Sequence, residues 1–198
     1  MEAKELLLKS LNQSQEFLSK TLDGLTQEEF AWTPNAECNS IAFTLWHNAR
    51  VEDFFVNRVI NREKELYVAN GWQEKMGTPV KAYQFTAEEL QAWPVPKLED
   101  LRAYADSVRK KTLAFLNSIP DEKLSEVPRP DKSPDPIGIT LGMIATELAM
   151  HVGQISYLRG MQRGLTNSRQ YRKKSQQAPI KGRVKRKSTS PVKKIFFL

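Results

Sequence analysis

The sequence predicts an all-α fold, a four-helix bundle with one long crossover, followed by a basic tail. Four segments of helical length repeat apolar residues at intervals of three and four, which is the period of one buried helix face. No segment shows the sustained alternation of apolar and polar residues that marks a half-buried strand. Bundles with one long crossover connection are a known arrangement of four helices.

The first two long helices are predicted from their apolar stripes and their caps. Residues 3–22 form the first helix, with four leucines on one face: Leu7, Leu11, Leu18 and Leu22. The second helix begins near Asn39 or Ser40, since either residue is a favourable N-cap, and it continues to about Asn61.

Residues 62–97 are predicted as the crossover, because glycine and proline interrupt them repeatedly. Thr86 with Glu89 has the spacing of a capping box and indicates one short helix within the crossover. Thr26 with Glu29 has the same spacing and indicates a short helical turn between the first two long helices.

The third long helix is predicted over residues 98–119 and the fourth over residues 140–163. One face of the third helix carries Leu101, Ala105, Val108, Thr112, Phe115 and Ile119. Five prolines between positions 120 and 136 separate the two helices, since proline cannot continue a helix interior. Gly164 follows the last periodic residue, where helices commonly end.

The net charge of +7 is concentrated at one end of the chain. Residues 166–198 contain eleven Lys or Arg and no Asp or Glu, whereas residues 1–165 contain 19 basic and 23 acidic residues, a net charge of −4. The basic segment lacks hydrophobic periodicity, so we expect it to be disordered and take residues 1–165 as the single domain. Such a tail supports only weak, non-specific binding of nucleic acid or another anionic surface.

Composition indicates a cytoplasmic protein with no membrane partner. No apolar run approaches the roughly 18 residues that span a bilayer. The N-terminus, MEAKELLLKS, carries acidic residues and lacks the apolar core of a signal peptide. Cys38 is the single cysteine, so no internal disulfide can form, and a reducing compartment suits the chain.

Both histidines of the chain lie on apolar stripes of predicted helices. His47 follows Phe43 by one turn on the second long helix. Glu147 and His151 are four residues apart on the last helix, so their side chains leave one face about 6 Å from each other. Gln154 lies one turn beyond His151 and is placed to hydrogen-bond to it.

These residue types in this pattern predict a metal site at His47, Glu147 and His151. A carboxylate on an apolar stripe needs a partner, and no Lys or Arg lies on the same face within one turn of Glu147. Two imidazoles and one carboxylate leave coordination positions open, as in reactive metal sites, and suit zinc by default, with nickel, iron or manganese as alternatives. From the residues alone, the histidines could equally fill core positions while Glu147 and His151 bond only to each other.

Three stretches of the chain resemble a known family: DGLTQEEFAWTP, NSIAFTLWHNARVEDFFVNRVI and TELAMHVGQISYLRGMQRG. They are similar to the DinB-like (DinB/YfiT-like) superfamily of metalloenzymes over about residues 1–165, including the order of the helices. The resemblance implies a metal site with one His from the second helix and an (E/H)xxxH pair from the last, which fall here on His47, Glu147 and His151. The Glu form resembles the branch with mycothiol-dependent maleylpyruvate isomerase and the bacillithiol and mycothiol S-transferases.

That branch implies an enzyme in which a metal lowers the pKa of a low-molecular-weight thiol, which then attacks an electrophilic small molecule in S-transfer or isomerisation. Arg50 and Arg159 are candidates for binding anionic groups of the thiol cofactor or substrate. Relatives are often homodimers, so a homodimer is expected. Two other functions stay open: a non-catalytic binding module that contains a metal, and weak binding of anionic surfaces or nucleic acid by the tail.

Overall fold

The computed structural model describes residues 2–131 and 133–167, and this described part of the chain is helical throughout, with connecting loops and no strand. Its α-helices are α1 (Ala3–Leu22), α2 (Gln27–Ala31), α3 (Ile41–Asp53), α4 (Leu66–Ala69), α5 (Trp72–Met76), α6 (Ala87–Gln91), α7 (Leu98–Ser118) and α8 (Ile137–Asn167). A π-helical segment (Phe54–Ile60) continues α3, and a 3₁₀ turn (Asp121–Ser125) follows α7. The predicted fold class is confirmed. From position 168 onward, the predicted tail lies outside the described residues.

The bundle consists of α1, α3 with its π-helical continuation, α7 and α8. α3 packs against both α7 and α8, and α1 packs against α8. Because α3 lies at the centre, eleven of its thirteen residues are buried, polar ones included. Buried polar groups must find partners within the chain, and this requirement shapes the surroundings of the candidate site. The largest fully buried side chains are Trp46, Tyr67, Tyr104 and Phe30.

The predicted helix starts in the first half of the chain are confirmed at their caps. The hydroxyl of Ser40 accepts a hydrogen bond of 3.0 Å from the backbone N–H of Phe43 and so opens α3. Thr26 and Thr86 each open a short helix with a complete capping box. The crossover contains α4 and α5 in addition to the predicted α6.

The second long helix continues to Ile60, close to its predicted end at about Asn61, but it does not stay α-helical over that whole length. The α-helical geometry ends at Asp53, and within the wider π-helical turns the N–H of Asn61 bonds to the carbonyl of Val56, five residues back, at 3.0 Å. Across the junction, the amide of Asn57 donates a buried hydrogen bond of 2.7 Å to Asp53. A hydrophobic period does not separate α- from π-helical turns, so the sequence could not indicate this change.

The last helix begins at Ile137 and not at Thr140. Pro136 directly precedes its first turn, where a missing N–H costs nothing, and the Pro136 carbonyl accepts from the N–H of Thr140 at 3.0 Å. Gly164 interrupts the helical geometry with φ 66° and ψ 165°, at the position where the sequence predicted the end of the helix. Within the described residues, no helix has both the length and the apolar character needed to cross a membrane.

Candidate metal centre

The interior of the bundle brings together the three side chains predicted as metal ligands. Ligand atoms of His47, Glu147 and His151 all lie within 4.8 Å of one another. His47 comes from α3 and the other two from α8, which packs against α3. The two imidazole rings meet edge to face, with centroids 5.1 Å apart and an interplanar angle of 81°. The predicted proximity is confirmed, and the role of the three residues as ligands stays a prediction.

The ring of His47 is oriented by a backbone carbonyl of the crossover. Nδ1 lies 2.7 Å from the carbonyl oxygen of Ala82, and because a carbonyl only accepts, Nδ1 carries the proton. Nε2 then has an unshared lone pair, which is the form of histidine that binds metals. Burial lowers the pKa of His47. The Ala82 carbonyl opposes this shift, and the neighbouring His151 adds to it. The ring is therefore neutral at pH 7.

The ring of His151 is oriented by its own helix. Nδ1 lies 2.9 Å from Oε1 of Gln154, so the predicted hydrogen bond between these residues is confirmed. With the proton on Nδ1, Nε2 is a buried lone pair, and among the described residues it has no hydrogen-bond partner. Oε2 of Glu147 lies 3.3 Å from this nitrogen. That distance alone suggests an ion pair, but the two facing atoms are both acceptors and repel each other unless a cation or a proton lies between them.

This donor set fits a divalent transition metal. Zinc binds histidine nitrogen and carboxylate oxygen at about 2.0–2.2 Å, so two ligands of a tetrahedral ion lie roughly 3.3 Å apart. Nε2 of His151 and Oε2 of Glu147 already have a separation of 3.3 Å. The ligand atoms of the cluster lie up to 4.8 Å apart, and the most distant ones would have to move closer together to bind one ion. The side chain of Glu147 is 44% exposed and has room to rotate inward.

The two arginines predicted to bind anionic groups make contacts within the chain. Arg50 is only 3% exposed, pairs with Glu65, and donates from Nη2 to the carbonyl of Val80 at 2.8 Å. Arg159 donates to backbone carbonyls at the C-terminal end of α1, those of Lys20, Thr21 and Asp23. Both arginines therefore connect segments of the bundle, and their role in binding anions stays a prediction.

An aromatic cluster backs His47. The ring of Phe43 lies nearly parallel to the imidazole, with centroids 6.4 Å apart and an interplanar angle of 7°. Trp46, Phe85 and Trp93 pack around Phe43 with centroids 5.2 to 5.7 Å from it. Trp46 is fully buried and Trp93 is 7% exposed, so both contribute to the core. This cluster packs beside one side of the imidazole.

A groove of about 600 Å³ lies on the crossover, away from the three candidate ligands. Thr78, Pro79 and Lys81 line it together with Phe85 and Trp93. The neighbouring Ala82 belongs to the same run of chain, but its carbonyl bonds to His47. The groove and the metal centre therefore lie beside the same short segment of the crossover, and none of the three candidate ligands lines the groove.

Fold and site together define a helical-bundle protein with a three-residue cluster suited to a metal ion in its interior. The DinB superfamily matches residues 10–155, and the chain belongs to this family. The fold is similar to the crystal structure of a conserved protein from Enterococcus faecalis, with a TM-score of 0.72 and 25% sequence identity over 81% of this chain and 97% of that one. No curated protein matches the chain.

Proposed function

We propose that the chain is a metal-dependent enzyme that activates a low-molecular-weight thiol for S-transfer to, or isomerisation of, an electrophilic small molecule. The observation that carries the proposal is the pair of facing acceptors, Nε2 of His151 and the carboxylate of Glu147, 3.3 Å apart with no hydrogen bond between them. Two facing acceptors repel each other unless a cation or a proton lies between them, and with His47 beside them a divalent cation is the occupant that we propose. His47 supplies a third ligand, and zinc is the default ion, with nickel, iron or manganese as alternatives.

The residues around such a metal site would have different roles. Ala82 and Gln154 accept the Nδ1 protons of the two histidines, so that both rings offer Nε2 to the interior. Glu147 supplies the negative charge, and its 44% exposed side chain lies on the side from which small molecules can approach. A bound divalent ion supplies the Lewis acidity that lowers the pKa of a thiol and makes a nucleophile at neutral pH.

The class of thiol is proposed from the family likeness. Glu147 and His151 form the Glu version of the family's (E/H)xxxH pair, which resembles the branch of mycothiol-dependent maleylpyruvate isomerase and the bacillithiol and mycothiol S-transferases. We therefore place bacillithiol and mycothiol first among the candidate thiols. The cytoplasm, where thiols are kept reduced, is the matching compartment.

Metal analysis of protein purified without affinity metals tests the site. We expect about one divalent ion per chain, and loss of that ion in His47→Ala and His151→Ala, since each variant removes an imidazole ligand. Glu147→Gln should weaken binding, whereas Glu37→Gln, which alters an exposed carboxylate before α3, should not. Unchanged metal content in all three ligand variants would exclude the site.

Turnover assays test the reaction. The acceptors are a chlorinated aromatic compound and a maleyl-type compound, each offered with bacillithiol, mycothiol, glutathione and cysteine in turn. We expect turnover with one of these thiols that is lost on chelation and restored by the metal. The rival function is a non-catalytic binding module with a structural metal. Metal-replete protein that is inactive with every thiol and acceptor would favour this rival.

The basic segment supports a separate and weaker activity. Its eleven Lys and Arg residues in positions 166–198 can neutralise phosphates without sequence preference. A chain ending at Leu165 should keep its metal but lose any binding to nucleic acid, together with the salt dependence of that binding. Retention of nucleic-acid binding by the shortened chain would show that the bundle itself carries the activity.

A homodimer belongs to the same proposal, and the exposed face of α8 supports it. Large apolar side chains that are 42 to 72% exposed lie along this face: Ile139, Met143, Met150, Tyr157 and Met161. Their positions are symmetric about Met150, at seven and eleven residues on either side. An antiparallel pairing of two α8 helices about a two-fold axis therefore sets Met150 against itself and Met143 against Tyr157, so the stripe is self-complementary.

Cysteine cross-linking in a Cys38→Ser background tests this pairing. Met150→Cys should form a disulfide-linked dimer under mild oxidation, because the two-fold axis brings the two sulfurs within bonding distance. Met143→Cys should form no disulfide link between its own chains, but it should cross-link when mixed with Tyr157→Cys. Self-linking of Met143→Cys would indicate a parallel pairing, and failure of every combination would argue against this interface.

A further inference from the structure

Residues 78–82, here called the strap, lie beside α3 without belonging to any helix. Within the described residues, none of the strap's backbone groups forms a hydrogen bond with another backbone group. Thr78 and Ala82 are nevertheless buried. Buried backbone groups need partners, so side chains must hold the strap in place.

Four carbonyls of the strap lie within hydrogen-bonding distance of donors on three side chains. These carbonyls belong to Thr78, Pro79, Val80 and Ala82. The hydroxyl of Tyr67 lies 2.8 Å from the first and 3.1 Å from the second. Nη2 of Arg50 donates to the third at 2.8 Å, and Nδ1 of His47 donates to the fourth at 2.7 Å. The same short run of backbone is therefore hydrogen-bonded to the side chains of His47, Arg50 and Tyr67.

Arg50 and Tyr67 are themselves held firmly. Tyr67 is fully buried and Arg50 is 3% exposed. The guanidinium lies 3.9 Å from the centroid of the Tyr67 ring and pairs with Glu65. The backbone N–H of Tyr67 donates at 2.8 Å to Asp53, a fully buried carboxylate at the end of α3. Both side chains thus have fixed positions, and their hydrogen bonds fix the distance between the strap and α3.

We infer that Arg50 and Tyr67 are positioning residues for the metal centre, because they clamp the strap and thereby hold the Ala82 carbonyl against Nδ1 of His47. The inference rests on the proposed metal site. The carbonyl keeps the proton on Nδ1 and the lone pair on Nε2, where a metal would bind. If the strap moves, the proton can occupy Nε2 and the ring loses the form that binds metal. In this role Arg50 acts through the strap and needs no contact with a substrate.

The ring nitrogens of His47 provide a direct test in ¹⁵N-labelled, metal-free protein. The chain has only two histidines, so a His151→Gln variant assigns the signals. Wild-type His47 should be protonated at Nδ1. Tyr67→Phe removes only the hydroxyl that holds the strap, and it should give a mixture of the two tautomers. It should also weaken metal binding by about 10-fold, as changes behind a ligand commonly do.

Thr112→Val is the matched control. Thr112 is also fully buried, and its hydroxyl donates to the carbonyl of Val108 within α7 at 3.2 Å and bonds to no strap carbonyl. Both variants should lower the melting temperature by roughly 2–6 °C, but only Tyr67→Phe should change the tautomer.

Two results would overturn the inference: an unchanged tautomer in Tyr67→Phe, or an equal change in Thr112→Val. Wild-type protein that binds no metal would instead refute the proposed function. The tautomer measurement needs no metal, so the two failures are distinguishable.

Discussion

The two halves of the candidate centre are held by different parts of the chain. Glu147 and His151 are one turn apart on α8, so the geometry of a single helix brings them together. His47 instead takes its orientation from Ala82, 35 residues further along the chain, and from the side chains that clamp the strap. The α8 half therefore depends on local contacts, and the strap half depends on contacts between distant segments.

The two halves also differ in exposure. On the strap side, His47 faces a buried aromatic wall and a carbonyl fixed by buried side chains. On the α8 side, the side chain of Glu147 is 44% exposed, and its contact with His151 is the one ion pair that it makes among the described residues. One half is suited to presenting a ligand in a fixed direction, and the other is suited to adjusting when an ion or a substrate arrives.

The largest expected difference between the halves is in stability. Arg50→Ala leaves Glu65 without its partner in a largely buried pair and removes a donor from the strap, so it should lower the free energy of unfolding by about 3–5 kcal/mol. Gln154→Ala removes one hydrogen-bond acceptor at an exposed position of α8 and should lower the free energy of unfolding by only about 1 kcal/mol. Urea unfolding of metal-free protein measures both. Similar losses for the two variants would show that the halves do not differ in this way.

Affinity for the metal should respond to changes in the α8 half even where stability changes little. Gln154→Ala removes the acceptor that orients His151, and it should weaken metal binding by about 10-fold. Thr146→Ala, another change at an exposed position of α8, is the control and should leave the affinity unchanged. Competition with a chelator of known affinity gives the ratio. Equal affinities in wild type and Gln154→Ala would mean that the helix alone orients His151.

The same contrast explains which parts of the site the sequence could predict. The i, i+4 spacing of Glu147 and His151 and the following Gln154 are visible in the sequence, because helix geometry converts spacing directly into distance. The facing of His47 toward that pair could be predicted from two apolar stripes and the family likeness. The strap could not, because its contacts involve backbone carbonyls of an irregular segment, and a carbonyl has no residue identity to recognise.

For Arg50, the sequence indicated only a position near the site. Its stripe on the second helix is shared with His47, and an anion-binding role followed from charge and location. Its burial depends on Glu65 and Val80, which belong to the crossover and carry no periodic signal. A buried arginine and a substrate-binding arginine cannot be told apart in a sequence, because the difference depends on whether a carboxylate from a distant segment pairs with the guanidinium.

The smallest expected effect concerns the titration of His47 in metal-free protein. Burial lowers the pKa of His47 in the folded state, whereas in the unfolded chain it stays near its ordinary value of about 6.5. Between these two values the unfolded chain binds more protons, so the free energy of unfolding rises with pH there. This contribution is complete above about pH 6.5 and is lost as the pH falls toward the lowered pKa of the folded state.

His47→Gln keeps a donor for Ala82 but cannot titrate, so it isolates the effect of His47 from that of His151. With a chelator present, wild type should lose more stability than His47→Gln between about pH 7.5 and 5.5. Equal losses would mean that water reaches His47 as easily as it reaches a surface histidine, and the strap half would then be no more closed than the α8 half.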